Sequence, residues 1–146
     1  MIKRSFLLII FPVLFFASCS NYYIPLESFK TQLAGIDSSK MKDVAVKGPG
    51  FTTLHYKANP IAVIYCIDQH NKPFQMVNSP SVEAKITYGY KHERAVFYFD
   101  KIYLSHNLMV GGQSRFLETL NKSILLDSIT KIEVQDKHKK FDYVNK

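Results

Sequence analysis

The groups in this chain that could do chemistry are five histidines, two cysteines and a few neighbouring hydroxyls and acids. His55, His70, His92, His106 and His138 include no pair at the close helical spacing of metal ligands. Asp68 and His70 come nearest, two apart and so expected on one face of a strand, but zinc would need at least one more ligand from elsewhere. Acyl transfer needs a nucleophile, a base and an orienting acid. Ser105, His106 and Asp100 are close in sequence, yet no Gly-x-Ser-x-Gly elbow accompanies them. Gly48-Pro49-Gly50 is turn chemistry, because proline lacks the N–H that a phosphate cradle would use. Glycoside hydrolysis needs two carboxylates facing across a cleft, which 12 scattered acids do not specify. The expectation is a protein that is not an enzyme and takes no metal or cofactor, with a hydrolase using Ser105, His106 or another histidine as the less favoured alternative.

The two cysteines stand in different settings. Cys66 lies in the apolar run Ile61–Ile67 and reads as a small buried hydrophobe. Cys19 follows Lys3 and Arg4, an apolar run from Phe6 to Phe16 broken by Pro12, and the small pair Ala17-Ser18. That order is the layout of a secretory signal over residues 1–18. Its 11-residue apolar run is well short of the roughly 20 that cross a bilayer as a helix. Phe16-Ala17-Ser18-Cys19 resembles the lipobox of bacterial lipoproteins, with Phe16 where leucine is usual. The resemblance implies cleavage between Ser18 and Cys19, a diacylglyceryl group on the Cys19 thiol and acylation of the new amine. It also implies a place in the cell envelope, at the outer membrane facing the periplasm, since Ser20 is not the aspartate that marks inner-membrane retention. Display at the cell surface stays open. In layout the mature chain resembles the small, uncharacterised lipoproteins common in Gram-negative envelopes.

Without residues 1–18 the chain keeps 128 residues, enough for one domain with a real core and no disulfide. Losing Lys3 and Arg4 lowers the net charge from +7 to +5. In an exported protein that charge points away from nucleic acid and towards anionic lipid or glycan. Lys137-His138-Lys139-Lys140 is the one dense cluster, readable as contact with an anionic surface or as an ordinary solvated turn. The partners expected are the membrane, through lipid on Cys19, and another envelope protein met at a strand edge or apolar groove. An alternative is a ligand or lipid carrier whose cavity would be lined by aromatics such as Phe97, Tyr98, Phe99 and Tyr103.

These residues need elements to hold them. Residues 19–25 read as the lipidated cysteine and a short linker, and residues 26–146 as a single mainly β domain. Pro25 and Glu27 favour a helix start, with Leu26, Phe29 and Leu33 at helical spacing, so a helix spans about 26–35 and Gly35 ends it. Thereafter short alternating runs are separated by turn residues. Val82, Ala84, Ile86 and Tyr88 alternate with polar residues as a half-buried strand. Residues 94–99 are apolar on both faces and suggest a central strand, and Asp136–Lys139 suggests the turn of a last hairpin returning through Phe141–Val144. Residues 111–123 read either as a strand bent at Gly111-Gly112 or as a short helix capped by Ser114. The fold class expected is a single antiparallel β-sandwich or partly open barrel with one N-terminal α-helix.

Overall fold

The computed structural model describes residues 21–144. Along the chain run β1 (Tyr22–Tyr23), α1 (Leu26–Gln32), β2 (Lys42–Lys47), β3 (Thr53–Ala58), β4 (Val63–Ile67) and β5 (Pro73–Val77). There follow β6 (Val82–Tyr88), β7 (Glu93–Tyr98), β8 (Ile102–Ser105), β9 (Leu108–Gly112), β10 (Asn121–Leu125), β11 (Ile129–Asp136) and β12 (Asp142–Tyr143). The domain is mainly β, built as three antiparallel sheets with one α-helix, and none of the sheets closes into a barrel. The largest has the order β5-β4-β1-β11-β6-β7, and the smaller ones are β10-β9-β8 and β12-β2-β3.

Alternation decides which face each strand buries. Val82, Ala84 and Ile86 of β6 and Ile132 and Val134 of β11 point inward, while Glu83, Lys85 and Glu133 stay at the outer face. Phe97, Phe99, Ile102 and Met109 complete this main core, and α1 with its C-cap adds Phe29 and Leu33 at no exposure. Gly111 lets β9 lie directly on β7: an added Cβ would sit 2.4 Å from the Phe97 ring. The pair Gly111-Gly112 thus serves close approach, and no bulge forms there, because β9 pairs with β10 without a break. A second, smaller core of Val44, Val46, Tyr56 and Ala58 sits under β2 and β3.

Four expectations are corrected. The helix is shorter than 26–35, ending at Gln32, with Leu33 as its C-cap and Gly35 in the left-handed region at φ +77°. Residues 19–25 are not all linker. Tyr22 pairs with Val134, and Tyr23 pairs with both Glu133 and Ile67, so the chain fills the free edge of β11 and joins it to β4. β7 is an edge strand; of its outward apolar residues, Tyr98 lies under the Arg115 guanidinium, 3.8 Å from the ring, and Val96 is 46% exposed. The last segment forms no hairpin with β11, whose two edges are already taken by β6 and β1. It crosses over to pair with β2, Tyr143 against Val46.

Candidate functional site

Three features of the described residues stand out: a buried polar cluster, an open cleft and an exposed apolar loop. The buried cluster gathers one side chain from each of four segments distant in sequence. Asp100, in a 3-10 turn after β7, accepts hydrogen bonds at Oδ2 from the hydroxyls of Tyr56 (2.5 Å, from β3) and Tyr143 (2.6 Å, from β12). Arg115, from the loop between β9 and β10, donates from Nη1 to the Tyr56 hydroxyl at 2.6 Å and stands 3.5 Å from Asp100 Oδ2. Asp100 and Arg115 are almost fully buried. Burial first, and the neighbouring Asp100 carboxylate second, push both phenols well above the ordinary tyrosine range. Lys101, also buried, has its pKa lowered by loss of solvent and gives its ammonium to the Ser114 carbonyl at 2.5 Å. The Asp100 carboxylate is shut off from solvent. The cluster fastens the β12-β2-β3 sheet to the rest of the domain, since Tyr56 and Tyr143 belong to that sheet.

A ladder of amides continues from the cluster. Asn59 donates its backbone N–H to the Asp100 carbonyl at 2.7 Å and its side-chain amide to the carbonyls of Phe99 and Ile102. Asn78 donates to Asn59 Oδ1 and to the Ile61 carbonyl, while its own Oδ1 has no partner among the described residues. Both asparagines line an open cleft of about 550 Å³, together with Lys42, Val44, Val77 and Tyr143. That volume is in the range of small-molecule sites. Its lining mixes aliphatic and amide groups, with Tyr143 as its one aromatic residue.

The loop 113–120 is held from both ends. Gln113 N–H donates to the Leu120 carbonyl, and Ser114 Oγ accepts the N–H groups of Phe116 and Leu117, both at 3.1 Å. Ser114 thus caps a turn and no helix follows it. With Arg115 drawn inward, Phe116 and Leu117 are forced outward and are 72% and 59% exposed.

The sequence-predicted residues are placed as follows. All five histidines are exposed, and His92, His106 and His138 hold left-handed turn conformations at φ 52°, 56° and 49°, a region histidine enters more readily than most residues. Asp68 and His70 do not share a strand face. Both lie in the turn after β4, where Asp68 Oδ1 accepts the N–H groups of His70 (2.7 Å) and Lys72 (3.0 Å), and these bonds hold its carboxyl below the usual range. Asp100 is turned away from Ser105 and His106 into the buried cluster. Ser81, Asp136 and His138 do meet, but the acid stands in the middle. Asp136 accepts from Ser81 Oγ and from the His138 N–H, and the ring Nδ1 is 3.7 Å from Oδ2. The imidazole cannot take the serine proton in that order. Among the described residues no group of three or more His, Cys, Asp or Glu stands close enough to hold a metal.

Cys66 is buried, and burial pushes its thiol up to about 11. Phe97 and Phe99 are buried in the main core and do not line the 550 Å³ cleft, while Tyr103 borders a separate depression of about 180 Å³. In the lysine cluster, Lys139 pairs with Glu83 at 2.9 Å and His138 faces Asp136, leaving Lys137 and Lys140 exposed with no acid partner among the described residues. Ser18 and Cys19 lie outside the described residues. No described helix is long and apolar enough to cross a membrane. Sequence reasoning missed Tyr56, Arg115, Tyr143, Asn59 and Asn78. Their polarity reads as surface, and no spacing brings β3, β12 and the 113–120 loop together.

Comparison with protein-family models, with curated proteins and with solved structures returns no match.

Proposed function

We propose that this chain is an envelope lipoprotein, cut between Ser18 and Cys19 and held by lipid on Cys19 at the outer membrane, facing the periplasm. In this reading it works as a non-catalytic binding or assembly module, with no nucleic acid among its partners. The observation that carries the reading is the position of β1. The ordered sheet begins at Tyr22, three residues after the lipobox cysteine, and β1 lies inside the six-stranded sheet with paired neighbours on both sides. A lipid on Cys19 would therefore seat the domain against the bilayer. Three residues reach only about 11 Å.

An envelope protein partner has two surfaces to use. One is the free edge of β5, where Val77 is exposed; the other is the adjoining 550 Å³ cleft, which Val77 and Asn78 also line. Crosslinking in intact cells tests this. A reproducible protein partner, lost in Val77→Lys, supports the module reading, and repeated recovery of no partner counts against it.

The cleft also favours a second reading, a carrier of a small periplasmic ligand. Native mass spectrometry of the protein released gently from membranes separates the two. A bound mass that leaves on denaturation supports the carrier, and its consistent absence supports the assembly module.

A further inference from the structure

We infer that one rim of the domain, from Asn21 to the loop tips at Phe51 and Phe116, lies on an anionic phospholipid bilayer and dips apolar side chains into it. The inference deepens the lipid-anchor reading and rests on it for where the chain is tethered.

A continuous series of contacts defines the rim. Asn21, the first described residue, lines one shallow depression with Lys85, Val96 and Lys137. Two residues along, Lys139 bonds Glu83, and its ammonium is 5.9 Å from the Tyr98 ring. Arg115 also stacks on the Tyr98 ring, and its neighbour Phe116 projects outward. Arg115 also stands 5.7 Å from the Phe141 ring, and Phe141 packs against Gly48 in the turn closed by Gly48 N–H to the Thr52 carbonyl. That turn presents Phe51 fully to solvent. The rim therefore carries both parts of a membrane-facing surface: apolar tips (Phe51, Phe116, Leu117) and the cations Lys137 and Lys140, which have no acid partner among the described residues.

The tether singles out this rim. Cys19 precedes Asn21 by two residues, which span about 7 Å at most, so lipid on Cys19 would bring the Asn21 end of the sheet to the headgroups. The opposite end, the turn between β6 and β7 that carries exposed Tyr90, lies a full strand length away, roughly 20 Å. Aromatic and leucine side chains at a bilayer surface bury apolar area, and lysines beside them meet lipid phosphates.

The chain contains no tryptophan, so a single introduced one reports on its own surroundings. The protein is expressed with its own N-terminal segment, purified from membranes and reconstituted into phosphatidylglycerol–phosphatidylethanolamine vesicles, with or without brominated acyl chains. Phe116→Trp and Phe51→Trp each place the reporter at a rim tip, and Tyr90→Trp places it at the far end; all three sites are exposed, so folding is spared. The expected result is a blue shift and quenching by brominated lipid at positions 116 and 51 and neither at 90. Lys137→Glu with Lys140→Glu, made in the acylated Phe116→Trp protein, should reduce the quenching by brominated lipid at position 116. Quenching at 90 in place of 116 and 51, or at none of the three, overturns the inference. The mass of the purified protein reads the anchor separately. Acylated protein without rim quenching sinks the rim alone. Unacylated protein whose rim tips are still quenched sinks the anchor and leaves the rim standing.

Discussion

The side-chain amide of Gln32 pairs with the backbone of Tyr65 as a strand residue would. Gln32 Oε1 accepts the Tyr65 N–H at 2.9 Å, and Gln32 Nε2 donates to the Tyr65 carbonyl at 2.8 Å. The reason lies in β1, which pairs with β4 only at Tyr23 and Ile67 before Pro25 turns the chain into α1. Beyond that point β4 would face an open gap, with the Tyr65 peptide groups left to solvent. Gln32, in the last turn of α1, supplies a primary amide with the donor and acceptor of a peptide, so the helix continues the sheet where the strand stops. Replacing Gln32 with Leu should destabilise the domain by about 1–3 kcal/mol, measured by urea unfolding. Gln32→Glu should recover only part of that, since it keeps the acceptor and loses the donor. A wild-type midpoint for Gln32→Leu would show that β4 does not need the helix as a partner.

The Asp100–Arg115 pair predicts a steeper loss. Both side chains are nearly inaccessible, and removing one partner of a buried pair leaves an uncompensated charge, costing about 3–5 kcal/mol. Arg115→Met and Asp100→Ala should each fall in that range. Tyr143→Phe, which removes one hydrogen bond to the carboxylate, should cost about 1.5–3 kcal/mol. Arg115→Met should also release the 113–120 loop, read as faster amide exchange at Phe116 and Leu117. A loop equally protected in that variant would mean that Arg115 does not hold it.

The tyrosines give a pH dependence with a definite sign. Tyr56 and Tyr143 have raised pKa values in the folded state, through burial first and the Asp100 carboxylate second. The native protein therefore keeps two protons that the unfolded chain releases above about pH 10. Their contribution to stability is complete below that value and declines as pH rises further. Titration at 295 nm should find at least two of the nine phenols missing from the native curve and present in denaturant. All nine titrating together in the native protein would contradict the buried cluster.

Cys66 should be chemically silent while the fold holds. Its thiol, pushed up to about 11 by burial, is scarcely ionised at pH 8, and the thiolate is the reactive form. Iodoacetamide at that pH should leave Cys66 unmodified in native protein and label it fully in guanidinium. Rapid native labelling would place the thiol in an open, polar setting instead.

Local pattern made part of this molecule legible in its sequence. Val82, Ala84 and Ile86 showed the half-buried strand through strict alternation, and Asn59-Pro60 marked the break between β3 and β4. The mainly β class and the N-terminal helix followed from such signals. Tyr22-Tyr23 could not, because a two-residue strand has no period, and its place between β11 and β4 depends on edges left open by distant segments. The edge position of β7 was hidden for a related reason: its outward residues Val96 and Tyr98 suggest a second buried face, yet Val96 is exposed and Tyr98 is covered by Arg115, a residue whose charge alone says surface. The buried cluster draws on positions 56, 100, 115 and 143, and only the completed sheets bring them together.

The N-terminus of the mature protein bears most directly on the central claim. Protein purified from the membranes of cells expressing the whole chain is digested, and its first peptide is identified by mass spectrometry. The account predicts that this peptide begins at Cys19, carries a diacylglyceryl thioether and is acylated on its amine, and that Cys19→Ala abolishes incorporation of labelled palmitate. A first peptide that begins elsewhere, or one with an unmodified Cys19 thiol, would contradict it.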